Sequence, residues 1–337
     1  MILSIFLLIV NLFIILLSAE GFTNSIEVFG RKFNMSQAVV GSILAAVGTA
    51  LPETILPAVA IFWGAKLTAH EIGVGAILGA PFMLSTLAFF LVGITALITF
   101  LKKKRKFVIN VETKTLKRDL IFFLLMFSSS VFLPLLFGRT FDVIIAIVLV
   151  FGYFFYVFMT VRGESKKVGH CEPLLLLKLQ MKLGFTKNLR ESKFLIITQI
   201  VISLIIMVVG SKGFVNNLEV ISKGYGMNPL LFALIFAPIA TELPEKFNSI
   251  SWTLKGKDAL AMGNITGAMV FQATFPVSVG LLFTEWKLTP MAMFSAIIAI
   301  TSALVVLADV TFRKKLSPYS ILFGGILYII YIVVLLS

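Results

Sequence analysis

Hydrophobic residues occur in this chain as ten long runs separated by short polar segments. Each run is close to or above the roughly twenty residues that an α-helix needs to cross the hydrocarbon core of a bilayer. The runs lie at about residues 2–18, 36–62, 72–100, 119–137, 141–161, 194–213, 228–254, 258–284, 288–311 and 317–336. We therefore predict ten transmembrane helices, called spans 1 to 10.

Composition agrees with an integral membrane protein. Of the 337 residues, 59% are hydrophobic and 13% are charged, and the mean hydropathy is +1.03. These values exclude an ordinary soluble domain. No basic residue precedes span 1 and no small-residue cleavage pattern follows it, so we interpret it as a retained helix. The single cysteine, Cys171, allows no intramolecular disulfide, and His170-Cys171-Glu172 is expected to be a solvated loop segment.

Positive charge is concentrated in the loops that follow spans 1, 3, 5, 7 and 9. These loops carry 23 of the 29 Lys and Arg residues. Such a bias is typical of loops that stay in the cytoplasm, and it explains the net charge of +13 better than nucleic-acid binding does. We expect these loops to be cytoplasmic, the chain to lie in the plasma membrane, and no nucleic acid to be a partner.

The chain divides into two halves that resemble each other. Residues 162–193 form the longest and most polar connection, a predicted cytoplasmic loop between five spans at 1–161 and five at 194–337. A shift of 192 residues aligns 33 positions without a gap, and 12 of them are identical, including Gly, Asn, Glu and Pro residues. Homologous halves with an odd number of crossings lie in opposite orientations. We therefore predict an all-α membrane protein of two inverted five-helix repeats.

Each half carries a proline and a glutamate in the middle of an apolar run. The motifs are Gly48-Thr49-Ala50-Leu51-Pro52-Glu53 and Ala240-Thr241-Glu242-Leu243-Pro244-Glu245. A carboxylate at the centre of a membrane helix costs about 2.5 to 3.5 kcal/mol, so two copies indicate a function. Proline frees backbone carbonyls, and oxygen atoms are the ligands that calcium prefers. We predict a cation site that includes Thr49, Glu53, Thr241 and Glu245. For one copy alone, a simple kink with a threonine bonded to its own helix is an equal alternative.

A third carboxylate and a lysine lie beside the second motif. Glu242 precedes Glu245 by three residues, and we include it in the predicted metal site. Several acids in an empty site do not all stay ionised, so Glu242 offers a route to proton coupling. Lys246 has two possible positions. It points away from the site and snorkels or pairs with Glu242, or it reaches the site as a tethered counter-ion that weakens cation binding.

Span 8 adds two amides and part of a glycine pattern. Asn264 and Gln272 are eight residues apart, and their oxygens suit the metal site, while either amide could equally join helices. The glycines have the spacing that lets helices approach closely, and packing is the expectation for Gly75, Gly79, Gly263 and Gly267. We find no phosphate-binding loop, nucleophile elbow or metalloprotease spacing, and expect no cofactor apart from the transported Ca²⁺, Na⁺ or H⁺.

At these motifs the chain resembles the calcium/cation antiporter superfamily, which includes the sodium/calcium exchangers. The resemblance covers nearly the whole chain. Residues 48–53 align with the family's Gly-Thr-Ser-Leu-Pro-Glu, and residues 263–268 with its Gly-Asn-x-x-Gly-Ser. It implies that Glu53 and Glu245 bind calcium and that Thr49 and Thr241 take part in the ion sites. It also implies that spans 2, 3, 7 and 8 form the site, while spans 1 and 6, long and tilted, slide against them during alternating access.

The chain departs from the family pattern at small polar positions. The family's serine after the threonine is Ala50 in one half and Glu242 in the other, and further family ligands or motif residues are replaced by Ala76, Ala80, Leu84, Ala268 and Gln272. Most ligands that would hold several sodium ions are therefore apolar, which puts three-sodium coupling in doubt.

The residues and the resemblance together predict a secondary antiporter that exports Ca²⁺ or a similar cation in exchange for Na⁺ or H⁺. Its expected partners are membrane lipid and inorganic cations. One alternative is a cation-binding or sensing protein that kept the fold and lost transport, as the missing ligands and Lys246 would allow. The other is an intramembrane enzyme with paired glutamates, which would need a nucleophile or catalytic metal set near them. We find neither, apart from threonine, and do not expect an enzyme.

Overall fold

A computed structural model describes residues 2–50, 54, 68–163, 166–169, 171–182, 192–224 and 242–336. This part of the chain is helical between its loops, and the β-type pairing in it is limited to two isolated bridges. The helices are α1 (Ile2–Lys32), α2 (Gln37–Ala50), α3 (Thr68–Met83, continuing through Leu84–Ala88 and Phe89–Leu101), α4 (Thr113–Phe137), α5 (Asp142–Arg162), α6 (Leu175–Lys182), α7 (Lys193–Gly224), α8 (Leu243–Leu254), α9 (Asp258–Gln272), α10 (Phe275–Phe283), α11 (Pro290–Arg313) and α12 (Pro318–Leu336).

Eight helical segments of the described residues are long and apolar enough to cross a membrane. They are Leu3–Lys32, Ile77–Leu101, Thr113–Phe137, Asp142–Arg162, Lys193–Gly210, Asp258–Phe283, Pro290–Arg313 and Pro318–Leu335. The prediction of an all-α, multi-span membrane protein is therefore confirmed. Spans 2 and 7 are described only in part, as α2 and α8, so the count of ten and the inverted relation of the halves stay predictions.

Helices α1 and α7 extend well beyond the apolar runs that predict them. They contain 31 and 32 residues and pack along each other. The run of α1 ends early because polar residues such as Asn24 and Glu27 follow it, but these side chains have partners elsewhere in the protein. Glu27 accepts a hydrogen bond from Trp252 Nε1 on α8 at 2.5 Å and forms an ion pair with Lys257. The predicted ends of spans 1 and 6, near residues 18 and 213, are therefore too early, whereas the long helices that the resemblance implies are present.

The connecting segment contains α6 and is tied to the first helix. Asn24 of α1 donates to the backbone carbonyls of Glu172 and Pro173 and accepts from the Leu175 amide at 3.0 Å. Cys171 is 2% exposed and packs in a small apolar cluster with Val28. The expectation of a solvated segment is therefore wrong for Cys171, because the hydrogen bonds from Asn24 hold its neighbours against α1. His170 lies outside the described residues.

Helices α2 and α9 cross at close range, and this crossing positions the candidate site. Residues Val40–Ala45 of α2 form a π-helical stretch, a feature that is frequent at functional sites. A methyl group added at Gly267 would overlap the backbone of Ser42, and one at Gly263 would lie 3.0 Å from Ser42 Oγ. The packing predicted for these two glycines is confirmed, because any larger side chain would separate the helices.

Candidate cation site

The second motif coincides with the beginning of a helix. Glu242 is the residue before α8, and Pro244 lies in the first turn, where its missing amide hydrogen leaves no helical bond unmade. Glu242 and Glu245 are both fully buried. The positive end of a helix dipole favours ionised carboxylates in the first turn. The helix start therefore offsets part of the cost of burying these two carboxylates.

Asn264 of α9 connects α8 to α2. Its Nδ2 donates to the Glu245 backbone carbonyl at 3.3 Å and to Ser249 Oγ at 3.2 Å. Its Oδ1 lies 3.4 Å from Thr49 Oγ1. The amide thus forms hydrogen bonds between helices, which is one of the two roles predicted for it. Its oxygen faces the threonine of the first motif.

Thr49 uses its hydroxyl group in two directions. Oγ1 lies 3.0 Å from the Ala45 carbonyl of its own helix and 3.4 Å from Asn264 Oδ1. A hydroxyl has one hydrogen, so it donates to one of these oxygens at a time. Thr49 therefore both satisfies its helix, as the simpler interpretation expects, and reaches the second half of the chain.

Glu242 and Lys246 form an ion pair one turn apart. Lys246 Nζ lies 2.7 Å from Glu242 Oε2, and the two side chains are 3% and 0% exposed. The pairing predicted as one position of Lys246 is thus confirmed. The pair adds no net charge to its surroundings.

Two predicted ligands, Glu53 and Thr241, lie outside the described residues, so the meeting of Glu53 with Glu245 stays a prediction. Within the described part, no three His, Cys, Asp or Glu side chains are grouped so that they could hold a metal ion. Gln272 is buried at the end of α9, eight residues and about 12 Å of helix beyond Asn264. Among the predicted ligands that the structure describes, Asn264 contacts both the Thr49 hydroxyl and the backbone carbonyl of Glu245.

Asp119 of α4 is a buried carboxylate that the sequence analysis missed. It is fully buried, and its Oδ2 accepts from Ser42 of α2 and Thr266 of α9, each at 2.9 Å. Arg118 donates to its Oδ1 at 2.9 Å. The sequence did contain an indication of Asp119, because an acidic residue stands at the first position of span 4. Its position directly after basic residues made it look like part of the preceding loop. Asp119 thus joins α2, which carries Thr49, to α9, which carries Asn264.

Asn248 is the second residue that was missed. It follows Glu245 by three residues in α8 and is 1% exposed. Neither its Oδ1 nor its Nδ2 has a hydrogen-bond partner in the part of the chain that the structure describes. Its spacing from Glu245 was a signal in the sequence, because residues three apart lie on neighbouring faces of a helix. Asn248 is therefore a buried amide, three residues from Glu245, without a hydrogen-bond partner among the described residues.

Fold and site together define a multi-span membrane protein with buried acids at the contact of its two halves. The family model described as sodium/calcium exchanger protein matches residues 3–162 and 195–337. The chain belongs to this family. Membership in this family confirms the resemblance found in the motifs. The family name supports cation antiport as the general activity.

Individual relatives agree over nearly the full length. The chain is 25% identical over 320 residues to the inner membrane protein YrbG of Escherichia coli (strain K12), covering 94% of this chain and 91% of that one. It is 28% identical over 277 residues to the Alkalimonas amylolytica protein named "Putative antiporter CaxA", covering 82% and 79%. The structure of the sodium-calcium exchanger NCX_Mj with Na⁺ and Ca²⁺ has the same fold, with a TM-score of 0.75, 21% identity and coverage of 99% and 98%.

Proposed function

We propose that this chain is a secondary antiporter that exports Ca²⁺ or a similar cation in exchange for Na⁺ or H⁺ by alternating access. The observation that carries the proposal is the junction of Thr49, Asn264 and Glu245, which joins residues of both halves inside the membrane part. Hydroxyl, amide and carboxylate oxygens are hard ligands of the kind that calcium takes six to eight at a time. Glu53 and Thr241 would supply further oxygens from the two motifs.

The proposal includes an orientation and a moving part. The loops after the odd-numbered spans are cytoplasmic, because they carry most of the positive charge. Helices α1 and α7 move as a pair against α2, α3, α8 and α9. Their mutual packing supports this division, since α1 and α7 contact each other along their length. The name sodium/calcium exchanger, given to the family, supports calcium as the cargo.

The experiment is uptake of radioactive ⁴⁵Ca²⁺ into proteoliposomes that contain the purified chain. Vesicles are loaded with Na⁺ or with an acidic buffer. They are then diluted into a Na⁺-free or a more alkaline medium, which creates an outward gradient of Na⁺ or H⁺. Uptake driven by either gradient supports antiport and identifies the coupling cation. Equilibrium Ca²⁺ binding with no uptake under either gradient would instead support a sensor, and neither binding nor uptake would remove calcium from the proposal.

A sensor that kept the fold is the second candidate, and the buried Glu242–Lys246 pair is the observation that favours it. A lysine ammonium beside the site supplies positive charge that a transported cation would otherwise bring. The same experiment separates the two candidates, because a sensor binds without flux.

A further inference from the structure

A cavity of about 500 Å³ lies between the turn that joins α4 to α5 and the turn that joins α10 to α11. It is at the far end of α4 from the basic residues 102–106, where the apolar spans end. Its volume is in the range, roughly 300 to 1,000 Å³, that is common for sites of small molecules. Apolar side chains form much of the wall, and four charged residues complete it: Arg139, Asp142, Glu285 and Lys287. This position at the ends of the spans is where lipid headgroups meet a membrane protein.

Asp142 is the buried acid of this cavity. It is the first residue of α5 and is 4% exposed, and its Oδ1 has no hydrogen-bond partner in the part of the chain that the structure describes. The helix dipole favours an acidic residue at this position, but it does not explain why the carboxylate is buried. A buried acceptor without a partner costs free energy, so a ligand that brings an N–H or O–H donor would stabilise this site.

The other charged residues of the cavity indicate which charges a ligand would carry. Glu285 and Lys287 form an exposed salt bridge with each other at 2.6 Å. Arg139 attracts the Asp142 carboxylate electrostatically, but the salt bridges between described residues include neither of these two side chains. The cavity therefore holds one base and one acid that are not bonded to each other. A ligand that carries both an ammonium and an anionic group would pair with both.

Trp286 forms a fixed apolar wall of the cavity. It is 5% exposed, and its φ is +44°, a left-handed conformation that is rare for a large side chain. Two hydrogen bonds hold it there, because its backbone amide donates to Thr284 Oγ1 at 3.1 Å and its Nε1 donates to the Ser130 carbonyl at 3.0 Å. Leu135, also in the wall, is 58% exposed, so the cavity opens on the apolar surface of α4. A ligand with a charged head and apolar chains fits these surroundings.

We propose that this cavity binds the headgroup of a phospholipid that carries a primary ammonium, of the phosphatidylethanolamine type. The ammonium donates a hydrogen bond to Asp142 Oδ1, and the Arg139 guanidinium donates to the phosphate. A choline headgroup has the same charges, but its nitrogen has no hydrogen and leaves Oδ1 unpaired. The site therefore selects the lipid by its N–H groups. This inference concerns lipid binding and does not depend on the proposed transport function.

The test measures lipid binding to the purified, delipidated chain in detergent by native mass spectrometry. The probes share palmitoyl-oleoyl chains and differ in the headgroup: phosphatidylethanolamine, its N-methyl and N,N-dimethyl forms, and phosphatidylcholine. The variants are Asp142→Ala and Arg139→Gln. Their controls are Glu172→Ala and Arg313→Gln, which change side chains that are 63% and 70% exposed and lie outside the cavity. Thermal unfolding without lipid is measured for every variant.

We expect the native chain to bind phosphatidylethanolamine about 10-fold more tightly than phosphatidylcholine, the effect of one hydrogen bond between charged groups. Affinity should fall when the last N–H is replaced by a methyl group. Asp142→Ala should bind both lipids alike, and its unfolding temperature without lipid should not fall, because the variant removes an unpaired buried carboxylate. Arg139→Gln should weaken both lipids by about 10-fold and keep the preference, since both carry a phosphate. The two controls should match the native chain.

Equal binding of the two lipids by the native chain, or an unchanged preference in Asp142→Ala, would overturn the inference. If Asp142→Ala does not fold, the methylated lipids decide on the native chain, because an affinity that does not respond to loss of the last N–H excludes a hydrogen bond to Oδ1. Glycerophosphoethanolamine, which has the headgroup without the chains, tests the source of the ligand. Displacement of phosphatidylethanolamine by an equal concentration of this soluble compound would overturn the lipid as ligand, and failure to displace it would support the lipid.

Discussion

Thr49 Oγ1 of α2 and Asn264 Oδ1 of α9 are 3.4 Å apart in a fully buried contact between the two halves of the chain. The residues are 215 positions apart in sequence, and each belongs to a motif that resembles the corresponding motif of the family. Asn264 also donates to the Glu245 carbonyl, so the contact extends to α8. One side chain thus connects the three helices from which the proposed ion site takes its ligands.

The two possible roles of Asn264 are separated by a pair of substitutions. Both Asn264→Leu and Asn264→Asp remove the Nδ2 donor to Glu245 and Ser249, and each should lower the free energy of unfolding by about 1 to 3 kcal/mol, because buried acceptors lose their partner. Added Ca²⁺ should restore the stability of the Asp variant only, since its oxygen still faces Thr49. Thermal unfolding in detergent, with and without Ca²⁺, measures this. Equal rescue of the Leu variant would exclude the side-chain oxygen as a ligand.

Glu245→Gln is expected to abolish Ca²⁺ uptake in proteoliposomes while the protein remains folded. The substitution keeps the size of the side chain and removes the negative charge on which divalent cation binding depends. Glu53→Gln should have the same effect if the two motifs form one site. The control is Glu285→Gln, whose side chain is 63% exposed in a loop and should leave uptake unchanged. Normal uptake by the Glu245 variant would remove this residue from the mechanism.

Much of the fold could be predicted from the sequence because one term, the transfer of apolar residues into lipid, dominates the free energy of membrane helices. That term predicts a helix wherever twenty apolar residues follow each other. It fails at the end of α1, where Asn24 and Glu27 continue the helix because distant partners in the connecting segment and in α8 satisfy them. Such partners cannot be found from local hydropathy.

The site was predicted in part for a similar reason. Glu242, Glu245 and Asn264 were identified because a polar group in an apolar run is costly and therefore meaningful. Asp119 was not predicted because it follows Lys117 and Arg118, and an acidic residue beside two basic residues is typical of a solvated loop. Only the packing of α4 against α2 and α9 shows that Ser42 and Thr266 bind it. The π-helical stretch around Ser42 likewise has no local signature in the sequence.

Asp119→Asn should destabilise the crossing of α2 and α9. Removing the charge breaks the pair with Arg118, whose side chain is 14% exposed, and weakens the bonds from Ser42 and Thr266. We expect a loss of roughly 2 to 4 kcal/mol in unfolding free energy, since one partner of a largely buried pair remains. Thermal or denaturant unfolding in detergent checks the value.

The matched control for Asp119 is an exposed pair in the connecting segment. Lys178 and Glu172 lie 2.5 Å apart with side-chain exposures of 36% and 63%, so Lys178→Gln should cost less than about 1 kcal/mol. The double variant Arg118→Gln/Asp119→Asn should recover part of the stability, because it leaves no unpaired charge. A cost for Asp119→Asn no larger than that of Lys178→Gln would contradict the assigned role.

Gly267→Ala tests whether the close approach of α2 and α9 is needed for transport. Its methyl group would overlap the backbone of Ser42, which cannot move aside as a flexible side chain does. The helices must therefore separate, which should cost about 1 to 3 kcal/mol and lengthen the Thr49–Asn264 contact, so that Ca²⁺ affinity and uptake fall together. Gly169→Ala is the control, because nothing lies within 4 Å of a Cβ at that position. If Gly267→Ala transports as well as Gly169→Ala, the crossing does not set the geometry of the ion site.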